Sequence, residues 1–388
     1  MKGDECMNGF ALRKFVAPEI LFGKGALALA DRYARNLGGS KVFIATDAGV
    51  IASGWLDPVL ESLEQEELDC TVFSDILPNP TASMVMKGAR IFSDEGCDLI
   101  LALGGGSPMD CAKAVGAVHA NGRHVSEFVG VDRIPLPCPP VVCIPTTAGS
   151  AADVSQFSII KNEGTKVKNA IVSKSIVPDV ALVDPRTTLT MDRNLTAATG
   201  LDALTHAVEA YVSKASSDLT DLHALRAIRL VGEFLPKTLD DLSNIDYRNG
   251  MMLASLHAGL AFSNASLGVV HALSHSLGGL LDLPHGECNS LLLRWGVEAN
   301  FSAAPDRYAA ILEALGGSVS SPEPLPELLE RLDALRAKAG IPGRLRELGL
   351  REEQLSLLAE TGEHDPCMLT NPFFFGHDEL EALLRNAY

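Results

Sequence analysis

Two hydrophobic periods divide this chain. Up to about Asp184, short apolar runs rich in β-branched residues, at 42–45, 71–73, 99–103, 141–144 and 180–183, alternate with stretches of helical period. Apolar runs of that length bounded by turn residues read as strands, and strands that alternate with helices build a parallel sheet. Beyond Leu189 the period is helical almost throughout, at 195–213, 219–234, 248–262, 305–315, 326–339 and 379–386. The pattern predicts an α/β parallel-sheet domain over residues 1–188 and an all-α domain over 189–388. The segment 316–324 reads as a loop, and neither half holds a repeat or a low-complexity tract.

The polar residues that interrupt this pattern carry the chemistry. In LTAATGLDALTHAVEAY (195–211), Asp202 and His206 are four apart, so on a helix both project from one face about a turn apart. The stretch GVVHALSHSLGGLLDLPHG (268–286) repeats that spacing with His271 and His275. It then adds His285 between Pro284 and Gly286, where the chain leaves or enters a helix. A lone buried histidine is most often a hydrogen-bonded core residue. Four histidines and an aspartate in Ala-, Leu- and Val-rich helices are costly to bury unless something satisfies them, and one divalent cation between the two segments does so. Imidazole nitrogen plus carboxylate oxygen, with no thiolate, suits a first-row metal such as ferrous iron or zinc and argues against a cysteine-rich structural zinc.

A strand, a glycine turn and a helix succeed one another in DLILALGGGSPMDCAKAVGA (98–117). Gly104, Gly105 and Gly106 open the turn, and Ser107 with Pro108 start a helix carrying Asp110 and Lys113. Glycines let backbone approach an anion closely, and the free amides of a first helical turn offer donors and a positive dipole end to phosphate. The run does not match the GxGxxG fingerprint, which therefore cannot be invoked. PPVVCIPTTAGSAADVSQFSII (139–160) also runs from a strand into small polar residues, with hydroxyls at Thr146, Thr147 and Ser150. The strand KVFIAT (41–46) ends at Asp47, a carboxylate placed equally well to bind a ribose 2′-hydroxyl or to cap a helix.

Together these segments resemble the iron-containing, group III alcohol dehydrogenase family over nearly the whole chain. FGKGAL, LPNPT (77–81), GGGSPMDCAK, PTTAG, VPDVALVDP (177–185), AATGLDALTHAVEAYVS, AFSNASLGVVHALSH, LPHGECN and TNP (370–372) carry the likeness in order. The resemblance implies a dehydroquinate synthase-like fold, with a dinucleotide-binding domain followed by a helical metal-binding domain. It implies metal ligands at Asp202, His206, His271 and His285, and a nicotinamide-facing, catalytic role for His275. Cofactor contacts fall on Asp47, Asn79, Gly105, Gly106, Ser107, Thr146, Thr147, Ser150, Lys168 and Leu189, with Asp110 grouped beside them on the helix after the glycine turn. The implied cofactors are NAD, which Asp47 favours over NADP by repelling a 2′-phosphate, and ferrous iron, with zinc as the alternative. A small primary alcohol or diol and its aldehyde or ketone are the expected substrates. A homodimer or larger homo-oligomer is expected, its contact near 15–22.

The chain departs from the family where SAADVS (150–155) replaces TGSEVT, where Arg294 and Trp295 replace a Pro-His pair, and at His257. These changes are expected on the substrate side. The PTTAGSAADVSQF variant also resembles a regulatory, alcohol-dehydrogenase-like branch, so a sensor that retains NAD and metal sites is an alternative to the enzyme. A glycerol dehydrogenase- or dehydroquinate synthase-like enzyme is another.

Composition narrows the partners. With 49 acidic against 32 basic residues and a net charge of −17, the chain lacks the basic footprint of a nucleic-acid binder. No apolar run has the length of a membrane span, and no signal core opens the sequence. Eight cysteines, at 6, 70, 97, 111, 138, 143, 288 and 367, form no CxxC pair and read as reduced thiols of a cytoplasmic protein. Cys111 and Cys288 are most simply small apolar fillers.

Overall fold

The computed structural model describes residues 12–164, 167–318 and 321–388; Cys6 and most of the N-terminal segment, with positions 319–320 of the predicted loop, lie outside these. The strands are β1 (Glu19–Phe22), β2 (Lys41–Ala45), β3 (Asp69–Phe73), β4 (Leu99–Gly104), β5 (Gly130–Val131), β6 (Val141–Pro145), β7 (Phe157–Lys161), β8 (Lys168–Val172) and β9 (Val180–Val183). Between them lie helices α1 (Ala30–Asn36), α2 (Ala48–Ala52), α3 (Leu56–Gln65), α4 (Ala82–Asp94) and α5 (Gly106–Asn121). A six-stranded sheet runs in the order β1-β9-β6-β4-β2-β3, parallel throughout. The alternation hidden inside its continuous apolar runs is visible in the packing. Phe43, Ala45, Ile100 and Ala102 face one core with α4 and α5, and Val42, Ile44, Leu99 and Leu101 face another under α1 and α3. A sheet covered on both faces needs apolar residues at both parities.

A second, three-stranded sheet, β5-β8-β7, pairs β7 with β8 antiparallel and places the hairpin beside α5. The apolar pattern predicts no strand at these three positions. The strands of this sheet are only partly buried because one face, carrying Phe157, Ile159 and Val172, borders a cavity.

The rest of the chain is helical: α6 (Arg193–Val212), α7 (Asp218–Asp240), α8 (Ile245–Ala265), α9 (Val269–Leu281), α10 (His285–Asn300), α11 (Pro305–Ala314), α12 (Pro324–Ala339), α13 (Leu355–Glu363) and α14 (His377–Ala387). α6 is buried on nearly every side, between α7, α8 and α10. Helix α7 outlasts its predicted end at Phe234 and runs through Pro236, whose missing N–H and ring normally stop a helix. Gly232 stands four residues before it, and tight packing on α8 holds the segment, with the Phe234 ring filling the space a side chain would need at Gly250. Among the described residues no single helix is long and apolar enough to cross a membrane.

Candidate active site

Helix α6 starts from an Asp192 N-cap whose side chain accepts from Leu195 N, and it presents Asp202, His206 and Glu209 along one face. Two further helices meet that face. α9 brings His271 and His275, and α10 brings His285 as its first residue. The approach of α10 depends on Gly286, where a Cβ would lie 2.4 Å from the Ala198 carbonyl oxygen of α6. The result is a cluster of Asp202, His206, His271 and His285 whose donor atoms all lie within 4.8 Å of one another. The His206 ring stacks between Phe262, at 4.3 Å, and His271, at 4.6 Å.

The cluster is richer in lone pairs than in hydrogens. The Asn289 amide nitrogen, one turn along α10 from His285, lies 2.7 Å from Asp202 Oδ1 and 3.0 Å from both His271 Nε2 and His285 Nε2. Two N–H groups face three acceptors, while His206 Nδ1 and His285 Nδ1 are buried without partners. Burial and neighbouring imidazoles push His271 and His285 well below the usual histidine range, so both present neutral nitrogens. Neutral imidazoles and one carboxylate, converging out of water with unused lone pairs, fit a divalent cation of the borderline kind.

His275 stands apart from this group. Its ring stacks on His285 at 5.3 Å, but its Nδ1 is engaged with Asp365 Oδ2 at 2.8 Å. Burial would raise the Asp365 carboxyl; His275 and the Cys367 N–H instead hold it down to about 2. Glu209 is tied to His271 Nδ1 at 2.6 Å, and burial pushes its carboxyl up to about 7 against the pull of backbone N–H groups. Sequence reasoning gave no role to Glu209, Asn289 or Asp365. The first two carried a signal, being seven residues after Asp202 and four after His285, each on the same helical face as a candidate ligand. Asp365, ninety residues from its partner, carried none.

A cavity of about 300 Å³ joins this cluster to the sheet domain. Asp202, His206, His271, His275 and His285 line one side, and Asp110, Ser150, Ala152 and Ser155 line another. Between them its walls are largely apolar, with Phe157, Phe262, Leu267 and Leu369 prominent. Burial raises Asp110 to about 7.

Most of the predicted cofactor residues follow the carboxyl ends of strands of the six-stranded sheet, whereas Lys168 opens β8 and Asp110 lies within α5. Gly104 ends β4 with φ +154°, and Gly105 and Gly106 lead into α5 with Ser107 in its first turn. A Cβ on Gly105 would lie 3.1 Å from Thr147, and one on Gly106 3.2 Å from Ser150, so the two polar loops form one cradle. Thr146 N donates to Gly104 O at 2.9 Å and ties them together. Asp47 caps α2, its Oδ1 accepting from Val50 N at 2.9 Å. Asn79, at φ +57°, spends its amide on Asp282 Oδ1 at 3.2 Å, and Lys161 reaches the same oxygen at 2.6 Å. Lys168 is buried against Gly278 of α9, and burial lowers its pKa. Leu189 is 37% exposed at the end of a short 3-10 turn.

Of the family departures, only those in 150–155 border the cavity. Arg294 pairs with Asp333 and Glu298 and lies over the Trp295 ring, and His257 shares a hydrogen with His223 across 2.8 Å. None of these lines the cavity, which corrects the expectation that they sit on the substrate side. They lie on helix faces turned toward α12 and α7. Burial pushes Cys111 and Cys288 up to about 12, as expected of fillers, and the seven described cysteines are free.

Residues 17–185 match a family model described as iron-containing alcohol dehydrogenase, and residues 196–388 match the Fe-containing alcohol dehydrogenase family, C-terminal. The chain is 39% identical over 376 residues to alcohol dehydrogenase 4 of Saccharomyces cerevisiae, covering 96% of this chain and 98% of that one. It is 35% identical over 376 residues to the NAD-dependent methanol dehydrogenase of Bacillus methanolicus, covering 96% and 99%. A crystal structure of 1,3-propanediol oxidoreductase superposes with a TM-score of 0.95 at 36% identity, covering 97% of this chain and all of that one.

Proposed function

Because the chain belongs to the iron-containing alcohol dehydrogenase family and is an alcohol oxidoreductase, we propose that it interconverts a small primary alcohol or diol with its carbonyl form, using NAD and ferrous iron. The observation that carries this reading is one cavity lined both by the four-donor cluster with His275 and by Asp110 of α5 and Ser150 of the neighbouring polar loop. When bound, the cation supplies Lewis-acid polarisation of the substrate oxygen and the nicotinamide a hydride acceptor.

The chain's own residues do the rest. Asp202, His206, His271 and His285 hold the cation. The amides opening α5, with Ser107, Thr146, Thr147 and Ser150, receive the pyrophosphate and adjoining groups at the carboxyl edge of the sheet. Asp47 keeps Oδ2 for a ribose hydroxyl while Oδ1 caps α2, which supports NAD over NADP. Phe157 and Phe262 exclude water and bound the alkyl portion, limiting substrates to small ones. His275, fixed at Nδ1 by Asp365, turns Nε2 to the cavity and takes up or returns the alcohol proton.

We place the domain boundary at 188/189 and expect a homodimer through β1, which pairs only with β9 among the described residues; sedimentation at micromolar concentration should show no monomer. The decisive experiment is steady-state oxidation of a panel of short alcohols and diols with added ferrous iron and NAD. Metal-dependent turnover is expected, and none with any alcohol would overturn the reading.

A further inference from the structure

We propose that Glu209 is the positioning residue of the metal centre: it clamps His271 at Nδ1 and anchors the first turn of α9, so that Nε2 is held toward the cation. This rests on the reading of Asp202, His206, His271 and His285 as ligands. Glu209 lies on the α6 face that carries Asp202 and His206, so one helix supplies two donors and the group that orients a third. Its carboxylate gathers N–H groups from the start of α9: Val270 N at 2.7 Å on Oε1, with Gly268 N at 3.1 Å, His271 N at 3.3 Å and His271 Nδ1 at 2.6 Å on Oε2. Such convergence leaves no room for a proton on Oε2, and the positive end of α9 favours an anion there.

Two neighbours support the assignment. A Cβ at Gly268 would lie 3.0 Å from Glu209 Oε1 and 2.6 Å from Asn371 Oδ1, so only glycine admits the carboxylate to the helix start. Asn289 Nδ2, committed as a donor by Asp202 Oδ1, also faces His271 Nε2 at 3.0 Å; that nitrogen is therefore an acceptor, and the ring proton sits on Nδ1. His206 and His285 differ, since their Nδ1 atoms are buried without partners. Among the three histidines, His271 alone has its tautomer fixed from behind, and a carboxylate behind a ligating imidazole raises its basicity and locks its orientation.

The test uses the full chain and Zn²⁺ as the probe. Competition with a chelator should show Glu209→Gln binding Zn²⁺ about 10- to 100-fold more weakly than wild type, with unchanged helix content by circular dichroism. In parallel, ¹⁵N-histidine spectra of metal-free wild type should show His271 protonated on Nδ1, its signal identified by its loss in His271→Gln. Wild-type Zn²⁺ affinity in a folded Glu209→Gln overturns the proposal, as does a wild-type His271 protonated on Nε2, a result that needs no folded variant at Glu209. If His271→Ala loses Zn²⁺ while Glu209→Gln retains it, the ligand set stands and the positioning role falls. If wild type binds no Zn²⁺, both fall.

Discussion

The two walls of the cavity are built differently. On the helical side, three helices carry the donors on rigid, buried backbone, and each donor's direction follows from its place in a 3.6-residue turn. On the sheet side, the cradle is mostly backbone, and the polar side chains singled out there take local work. Asp47 caps α2 and Asn79 binds Asp282, while the backbone N–H of Thr146 ties the glycine turn. A buried helical side chain has few alternatives, whereas a loop side chain near water finds a neighbour. Substitutions on the helical wall should therefore abolish a function, and those on the sheet wall should shade it.

The largest effect is expected at the cluster. Elemental analysis of protein purified without chelators should find near-stoichiometric iron or zinc, and His271→Ala should lose most of it; full retention would remove the cation from this wall. Next comes His275→Ala, which should keep its metal while turnover falls about 10²- to 10⁴-fold, the range for losing a general acid–base group. Loss of metal there, with metal kept in His285→Ala, would exchange the two roles.

Asp365 gives a pH signature on the same wall. Its carboxyl moves from the ordinary 3.8 of an aspartate to about 2 on folding, so its stabilisation is complete above about pH 4 and lost as pH falls through about 2. That difference corresponds to about 2 kcal/mol. Urea titrations between pH 5 and 2 should show a shallower acid decline in Asp365→Asn, and identical slopes would mean the pair with His275 does not form.

On the sheet wall, Asp47→Gly should narrow or reverse the preference for NAD over NADP while costing only a few tenths of a kcal/mol as a cap, so about 1 °C or less in Tm. Better use of NADP by the wild type would confine Asp47 to capping. The smallest effect is expected from Asp282→Ala. The exposed tie from Asp282 to Lys161 and Asn79 is worth about 0–1 kcal/mol, and a larger loss in thermal denaturation would make it a structural clasp between the two walls.

The chain's own pattern was enough for five strands of the central sheet, most of the helices and the pairing of Asp202 with His206 and of His271 with His275, while the family resemblance was needed to set His275 apart from Asp202, His206, His271 and His285. Local rules suffice where a continuous apolar run can only be a doubly covered strand, and where i, i+4 spacing on a helix fixes two side chains on one face. Tertiary structure decided what depends on contacts between distant segments. The β7–β8 hairpin forms against α5, Pro236 is carried inside α7 by its packing on α8, and Arg294 and Trp295 turn away from the cavity. Asp365 meets His275 only because the segment after α13 folds back onto α9. Glu209 lay on a legible face, but its partner is the start of another helix, and no local spacing encodes which helix end a buried carboxylate will meet. Periodicity fixes the direction of a side chain within its own element, and the packing of elements fixes what that side chain touches.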